Sequence, residues 1–258
     1  MKKRILEELS EMEKEENVKV IYAVEAGSRA WGYHTDTSDF DVRFIYISQV
    51  HSYLSLQKSR NVIEKPFHSK LEMRGWDLTK ALKLLHNSNS SILEWLTEEN
   101  VYIEHPIIKK IRALGEATFS IKTCLIHYRQ MAKRNMNLQK KEDFVEVKKY
   151  MNILRPWLAC NWIVKFKTFP PNNIYLLLNQ VMMNAETRLE IERILKLRKN
   201  DRNFMPYAFF AEVTEYIESE LIKIDCNIKE LKNPPKNLGE AIDDLFLVSL
   251  KEVWKINF

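Results

Sequence analysis

Apolar and β-branched residues predict a small sheet in the first third of the chain. Residues 18–24 and 40–47 are mostly apolar runs of strand length, which indicates two buried strands. Residues 60–65 and 70–76 predict two further strands, and in the second of these apolar and polar side chains alternate. Residues 3–16 instead place apolar side chains at helical spacing, so an amphipathic helix is expected before the sheet.

Helical periodicity dominates the remainder of the chain. Asp77 is expected to cap a helix over residues 78–86, and Ser91 to cap the short helix that follows. Strand signals stop between about residues 105 and 120. Further helices are expected over residues 119–137, from about residue 142, and over residues 174–180, 184–199, 207–224 and 238–255. Pro156 lies inside the second of these and is expected to kink or end it.

These patterns predict an α+β protein of two domains. Residues 1–115 would form a small mixed sheet with flanking helices, and residues 116–258 an α-helical domain. The low glycine content, five among 258 residues, supports this prediction, because an all-β protein contains more turns. The net charge of +5 is uneven: residues 1–118 carry 17 Lys and Arg against 18 Asp and Glu, and residues 119–258 carry 23 against 17. The C-terminal part is therefore the one expected to meet a polyanion.

Several features indicate an intracellular protein. The three cysteines are far apart and lack Cys-x-x-Cys spacing, so neither a disulfide framework nor a zinc site is expected. The first residues are charged and contain no apolar leader core. The longest apolar stretch, residues 151–169, is interrupted by charged residues and a proline, so no membrane span is expected. We expect a soluble, cytoplasmic protein, and the sequence carries no signal for its oligomeric state.

Asp39 and Asp41 lie at the start of the second predicted strand. Because side chains alternate along a strand, Asp39, Asp41 and Arg43 are expected on one face. Two carboxylates on one face repel each other unless a cation lies between them, and Mg²⁺ or Mn²⁺ prefers oxygen ligands. The alternative is a surface loop in which Asp39 caps a turn and Asp41 pairs with Arg43.

Gly27 and Ser28 follow the first predicted strand directly. Glycine permits a positive φ or the close approach of a ligand to the backbone. Ser28 is a good N-cap for a short helix beginning at Arg29, and the free N–H groups at a helix start attract anions. This turn therefore predicts a phosphate site beside the carboxylates.

Together these motifs resemble those of a known enzyme superfamily. Gly-Ser, a short helix and Asp-x-Asp on the next strand resemble the polymerase-β-type nucleotidyltransferase motif. More narrowly, residues 27–32 (Gly-Ser-Arg-Ala-Trp-Gly) and 38–44 (Ser-Asp-Phe-Asp-Val-Arg-Phe) resemble RlaP, the RNA-ligase-associated, polymerase-β-like predicted nucleotidyltransferases. Similar stretches are residues 75–82, 93–96 and 148–156. The resemblance implies that residues 1–115 are a nucleotidyltransferase palm.

A palm of this type implies a third carboxylate on a neighbouring strand. Glu72 shares a predicted face with Arg74 and is the candidate, either as metal ligand or as base for the attacking hydroxyl. Its alternative role is an ion pair with Arg74 or Arg43. Asp77 is the competing acid, although its expected role as a helix cap already accounts for it.

The resemblance implies transfer of a nucleotidyl group from an NTP, with ATP expected, to an acceptor hydroxyl with release of pyrophosphate. Asp39, Asp41 and Glu72 would be catalytic and would hold Mg²⁺ or Mn²⁺. The residues expected to bind the nucleotide are Gly27, Ser28, Arg29, Arg43, Lys148 and Arg155. RNA ends are one acceptor class that the resemblance implies, and protein hydroxyls and small molecules stay open. The alternative is a catalytically weak nucleotide- or RNA-binding module of an RNA-repair complex.

Lys148 and Arg155 enter this set because they share one stripe of a predicted helix. Arg155 would make a bidentate contact with triphosphate oxygens, and Lys148 would act as a point charge. A solvated helix face is the alternative.

Overall fold

The computed structural model describes residues 1–57, 60–68, 70–200, 203–232 and 239–256. These residues form two compact units. The first comprises residues 1–30 and 39–119 together with the last helix of the chain, and the second comprises residues 31–38 and 120–232. The predicted division at residues 115/116 lies close to the junction at 119/120. The units nevertheless do not follow a single cut of the chain. Residues 31–38 belong to the second unit, and the last helix belongs to the first.

The first unit contains a five-stranded mixed sheet with flanking helices. Its elements are α1 (Lys2–Glu16), β1 (Val18–Glu25), α2 (Gly27–Ala30), β2 (Phe40–Ser48), α3 (Val50–Leu54), β3 (Val62–His68), β4 (Leu71–Asp77), α4 (Leu78–His86), α5 (Ser90–Leu96), β5 (Val101–Glu104) and α6 (Ile108–Thr118). The strand order is β3-β4-β2-β1-β5, in which β2 and β4 are parallel and the other pairs are antiparallel. The predicted α+β fold class is confirmed.

The core beneath helix α1 determines which face of β2 is available for chemistry. The buried stripe of α1 consists of Ile5, Leu9 and Met12. It packs in one cluster with Val42 and Phe44 of β2, both fully buried. Because neighbouring side chains on a strand point to opposite faces, Asp41 and Arg43 project from the other face.

The second unit is mainly helical. Its elements are α7 (Ile121–Gln139), β6 (Phe144–Glu146), α8 (Val147–Phe166), α9 (Ile174–Gln180), α10 (Ala185–Lys199), β7 (Phe204–Pro206), a 3-10 turn (Tyr207–Phe210) and α11 (Ala211–Glu230). The chain then returns to the first unit with α12 (Gly239–Trp254), where Trp254 Nε1 donates to the Ser48 carbonyl at 3.0 Å. Within the described ranges, no helix has both the length and the apolar character needed to cross a bilayer.

The structure corrects several expectations about local elements. The short strands β5, β6 and β7 escape a pattern-based prediction, because three or four residues are too few to show a period. Helix α8 begins at Val147, since the preceding residues pair with β7, and it continues through Pro156 instead of ending there. Helix α5 is capped by Asn89 and not by Ser91, whose N–H donates to the Asn89 side chain at 3.0 Å.

Candidate functional site

The turn after β1 brings a glycine next to one of the predicted carboxylates. Gly27 has a φ of +60°, a conformation that L side chains rarely adopt. A Cβ atom at this position would lie 2.9 Å from Oδ2 of Asp41. The predicted turn and Asp41 therefore lie side by side, and a side chain at position 27 would have to displace the Asp41 carboxylate.

Glu25, the last residue of β1, holds the main chain of Asp41. Its Oε1 accepts the Asp41 N–H at 2.9 Å, and the Ala26 N–H donates to the Asp41 carbonyl at 2.7 Å. Tyr102 of β5 donates a hydrogen bond to Oε2 of Glu25. Glu25 is only 4% exposed, and this burial raises the pKa of its carboxyl group above the ordinary value.

Neither Glu25 nor Tyr102 is predicted as a site residue from the sequence. Glu25 is an acidic residue that follows six buried residues of β1, which is a local signal for a buried functional or positioning acid. Tyr102 carries no such signal, because it is 77 residues away from Glu25 in the chain.

Arg43 bridges Asp41 and Glu72. Its Nη2 lies 2.7 Å from Asp41 Oδ1 and 3.0 Å from Glu72 Oε1. Asp41 and Glu72 are register partners on the parallel strands β2 and β4, which explains how one guanidinium reaches both carboxylates. Arg74 pairs instead with Glu64 at 2.8 Å. Of the two ion pairs expected as the alternative for Glu72, the structure contains the one with Arg43.

Asp39 lies just before β2, and its backbone is linked to helix α2. Arg29 Nε donates to the Asp39 carbonyl at 3.2 Å, and the Arg29 guanidinium stacks over the Phe40 ring at 3.8 Å. Within the described parts of the chain, the Asp39 carboxylate makes no hydrogen bond or ion pair. It is half-buried and differs in this respect from Asp41, which Arg43 neutralises.

Ser28 lies inside the short helix. Helix α2 begins at Gly27, so Ser28 is in its first turn and does not cap it as expected. The structure thus keeps the predicted order of strand, turn, short helix and strand but moves the helix start by one residue.

Asp77, the competing third acid, has a different role. Its Oδ1 accepts the Thr79 N–H at 2.8 Å, which confirms the predicted cap of α4. Its Oδ2 accepts hydrogen bonds from Tyr53 at 2.7 Å and Ser48 at 3.2 Å. Asp77 pairs in register with Tyr46 at the far end of β4, whereas Glu72 pairs with Asp41.

Arg155 and Lys148 belong to the second unit, where they occupy different environments. Arg155 is 3% exposed, donates from Nε to the Asn172 carbonyl at 3.1 Å, and stacks over Trp31 at 4.6 Å. Lys148 is exposed at the start of α8. The two residues therefore do not form a shared, solvated cationic row.

The carboxylates offer the donor atoms that a hard divalent cation prefers. Asp41 and Glu72 already share one cation, the Arg43 guanidinium. Asp39 is two residues before Asp41 in the sequence. In the part of the chain that the structure describes, however, no three His, Cys, Asp or Glu side chains are gathered closely enough to hold a metal ion. Carboxylate oxygens are suitable ligands for Mg²⁺ or Mn²⁺, but Arg43 contacts both Asp41 and Glu72 and would have to move before one ion could bind to both.

Comparison with known proteins identifies relatives over nearly the whole chain. Residues 1–248 match the family described as RlaP, RNA repair pathway DNA polymerase beta family. The chain is similar to the uncharacterized protein YcgL of Bacillus subtilis (strain 168), with 38% identity over 256 residues, which cover 99% of this chain and 98% of YcgL. A crystal structure of a nucleotidyltransferase-like protein from Exiguobacterium sibiricum 255-15 aligns with 97% of this chain and 91% of its own, at 11% identity and a TM-score of 0.36.

Proposed function

This chain belongs to RlaP, the RNA repair pathway DNA polymerase beta family, and from that premise we propose that it is a nucleotidyltransferase. It would transfer a nucleotidyl group from an NTP, with ATP as the expected donor, to an acceptor hydroxyl and release pyrophosphate. The observation that supports the proposal is the close approach of Gly27 and Asp41, because it puts the turn that is predicted to bind phosphate next to a carboxylate.

We propose a role in this chemistry for each of the site residues. Asp39, Asp41 and Glu72 would hold Mg²⁺ or Mn²⁺, which when bound neutralises the charge of the phosphates. The turn at Gly27 and Ser28 would bind the β- and γ-phosphates through backbone N–H groups. Most of the rate effect would come from positioning and electrostatic stabilisation.

Glu72 is the candidate base for the acceptor hydroxyl. Its side chain is 49% exposed, compared with 24% for Asp41, so an acceptor from solvent reaches it more readily. The acceptor oxygen would attack the α-phosphorus while its proton passes to the carboxylate, and the bond to pyrophosphate would break.

The test is metal-dependent pyrophosphate release from each of the four NTPs. We expect Asp41→Asn and Asp39→Asn to lower release at least about 100-fold, because each removes one charged oxygen ligand. Asp36→Asn is the matched control, since Asp36 is exposed and lies in the loop before Asp39. Equal rates for wild type and Asp41→Asn would contradict the proposal.

The acceptor is proposed as a hydroxyl of an RNA end, a protein or a small molecule, within the cytoplasm. RNA is supported by the family's link to RNA repair. Incubation with labelled ATP and a fractionated lysate would identify the class that takes up the label. An RNA acceptor also requires that affinity falls steeply as the salt concentration rises.

The second candidate is a nucleotide- or RNA-binding module of a repair complex with little turnover. The ion pairs of Arg43 favour it, because they neutralise two of the proposed metal ligands. NTP binding without pyrophosphate release in the presence of every acceptor pool would support this candidate over the enzyme.

A further inference from the structure

Arg43 is the counter-ion of two acids that the proposed function assigns to a divalent cation. One nitrogen, Nη2, contacts Asp41 Oδ1 and Glu72 Oε1, at 2.7 and 3.0 Å. Glu72 Oε1 accepts a hydrogen bond from this nitrogen, whereas the contact with Asp41 Oδ1 is an ion pair without a hydrogen bond. A carboxylate oxygen that is in contact with a guanidinium has less capacity for a metal, since both cations are attracted to the same lone pairs. The guanidinium and a metal ion must therefore compete for these two side chains.

The side chain of Arg43 is 16% exposed, so water reaches its two ion pairs in part. The side chains of Asp41 and Glu72 are 24% and 49% exposed, and water screens ion pairs of this kind. A divalent ion that binds several carboxylate oxygens can therefore compete with the guanidinium for these two side chains.

Arg43 also has a donor that the protein does not use. Its Nη1 is buried and has no hydrogen-bond partner among the described residues. A buried, unsatisfied donor is costly unless a ligand supplies an acceptor, and guanidinium groups match phosphate oxygens in geometry. The side chain is therefore suited to a second, anionic partner.

We propose that Arg43 is an exchangeable counter-ion: a divalent cation displaces it from Asp41 and Glu72, and the released guanidinium binds the triphosphate of the nucleotide. The inference rests on the proposed function, and it assigns to Arg43 opposite effects on the two ligands. Arg43 weakens the binding of the metal alone and strengthens the binding of the metal–nucleotide complex.

The first measurement is the affinity for Mn²⁺ without nucleotide, followed by the electron paramagnetic resonance signal of free Mn²⁺. We expect Arg43→Met to bind Mn²⁺ roughly fivefold more tightly than wild type, because the guanidinium no longer competes for the two carboxylates. Arg74→Met is the matched control, since Arg74 is the register partner of Arg43 but pairs with Glu64. Its affinity for Mn²⁺ should change less than about twofold.

The second measurement is the affinity for ATP at saturating Mn²⁺, by calorimetry. Here Arg43→Met should bind roughly tenfold more weakly, because a charge-assisted phosphate contact is lost. If Arg43 had a purely structural role, its loss would lower the affinity for Mn²⁺ and the affinity for ATP together. A higher affinity for Mn²⁺ combined with a lower affinity for ATP therefore distinguishes exchange from a structural role. Arg43→Lys provides a second test if Arg43→Met does not fold. Its affinity for Mn²⁺ should also exceed that of wild type, because a single ammonium group contacts two carboxylates less well than the planar guanidinium does.

Several results would overturn the inference. These are an unchanged or weaker Mn²⁺ affinity in Arg43→Met, an equal gain in Arg74→Met, or unchanged binding of ATP. If wild type releases pyrophosphate but Arg43→Met does not show these opposite changes in affinity, only the proposed exchange is wrong. If wild type binds no Mn²⁺ and releases no pyrophosphate, both the exchange and the proposed function fail.

Discussion

The Oε1 atom of Glu25 accepts the main-chain N–H of Asp41 at 2.9 Å. β1 leaves the sheet after Glu25 to form the turn at Gly27, so no strand carbonyl follows there to accept this N–H. The side-chain carboxylate takes the place of the missing carbonyl, and Tyr102 fixes its other oxygen. One buried acid thus lets the chain turn sharply while the first part of β2 stays ordered.

We expect Glu25→Ala to lower pyrophosphate release by about 10- to 100-fold, the usual effect of losing a group that orients a metal ligand. Glu25→Gln is the control, because its amide oxygen can still accept the Asp41 N–H. It should retain activity within about threefold of wild type. If the glutamine variant were as inactive as the alanine variant, the charge of Glu25 would matter more than its hydrogen bond.

Gly27→Ala should be destabilised by about 1 kcal/mol or more, since an L side chain at φ +60° is strained. Its rate of pyrophosphate release should fall further than the loss of folded protein explains, because the new methyl group moves the Asp41 carboxylate. Urea unfolding and pyrophosphate release measure the two effects. Gly239→Ala is the matched control, as nothing lies within 4 Å of a Cβ at that position.

Gly75 lies under the ring of Phe44, and a Cβ there would come within 2.0 Å of Phe44 Cε2. We expect Gly75→Ala to cost about 1–3 kcal/mol in the free energy of unfolding, as overpacking does. Phe44→Leu in the same chain should recover part of this cost by making room. A double-mutant cycle with additive energies would show that the two side chains do not clash.

Arg155→Ala should destabilise the protein by about 2 kcal/mol, because it removes a buried charged donor from the Asn172 carbonyl. Lys148→Ala should change the free energy of unfolding by less than about 0.5 kcal/mol, since Lys148 is exposed. Thermal unfolding of both variants gives the comparison. Equal stability of the two would mean that the burial of Arg155 has no structural consequence.

The pair of Glu104 and Arg112 should make part of the stability depend on pH. Hydrogen bonds from Arg112, at 2.7 and 2.9 Å, lower the pKa of Glu104 from its ordinary value of 4.5. Its contribution is therefore present above 4.5 and is lost as the pH falls through the lower folded-state pKa. Glu104→Gln should cost about 0.5–1 kcal/mol at neutral pH and close to nothing in strong acid. A cost that does not depend on pH would contradict this assignment.

The order of the main elements and the central motif can be predicted from local patterns in the sequence. Strand periodicity placed β1 to β4 within two or three residues of their ends, and side-chain alternation put Asp41 and Arg43 on one face of β2. These features depend on neighbours a few residues apart, and local patterns record such relationships well.

Contacts between side chains that are far apart in the chain depend on how the elements pack together. Glu25 and Tyr102 are 77 residues apart, and Arg43 joins Glu72 across 29. The sequence pattern of α8 predicted that Arg155 binds triphosphate oxygens or lies on a solvated helix face, whereas in the structure it is buried and donates to the Asn172 carbonyl. No local period encodes such contacts, because they form only when separate elements pack together and leave polar groups that need partners.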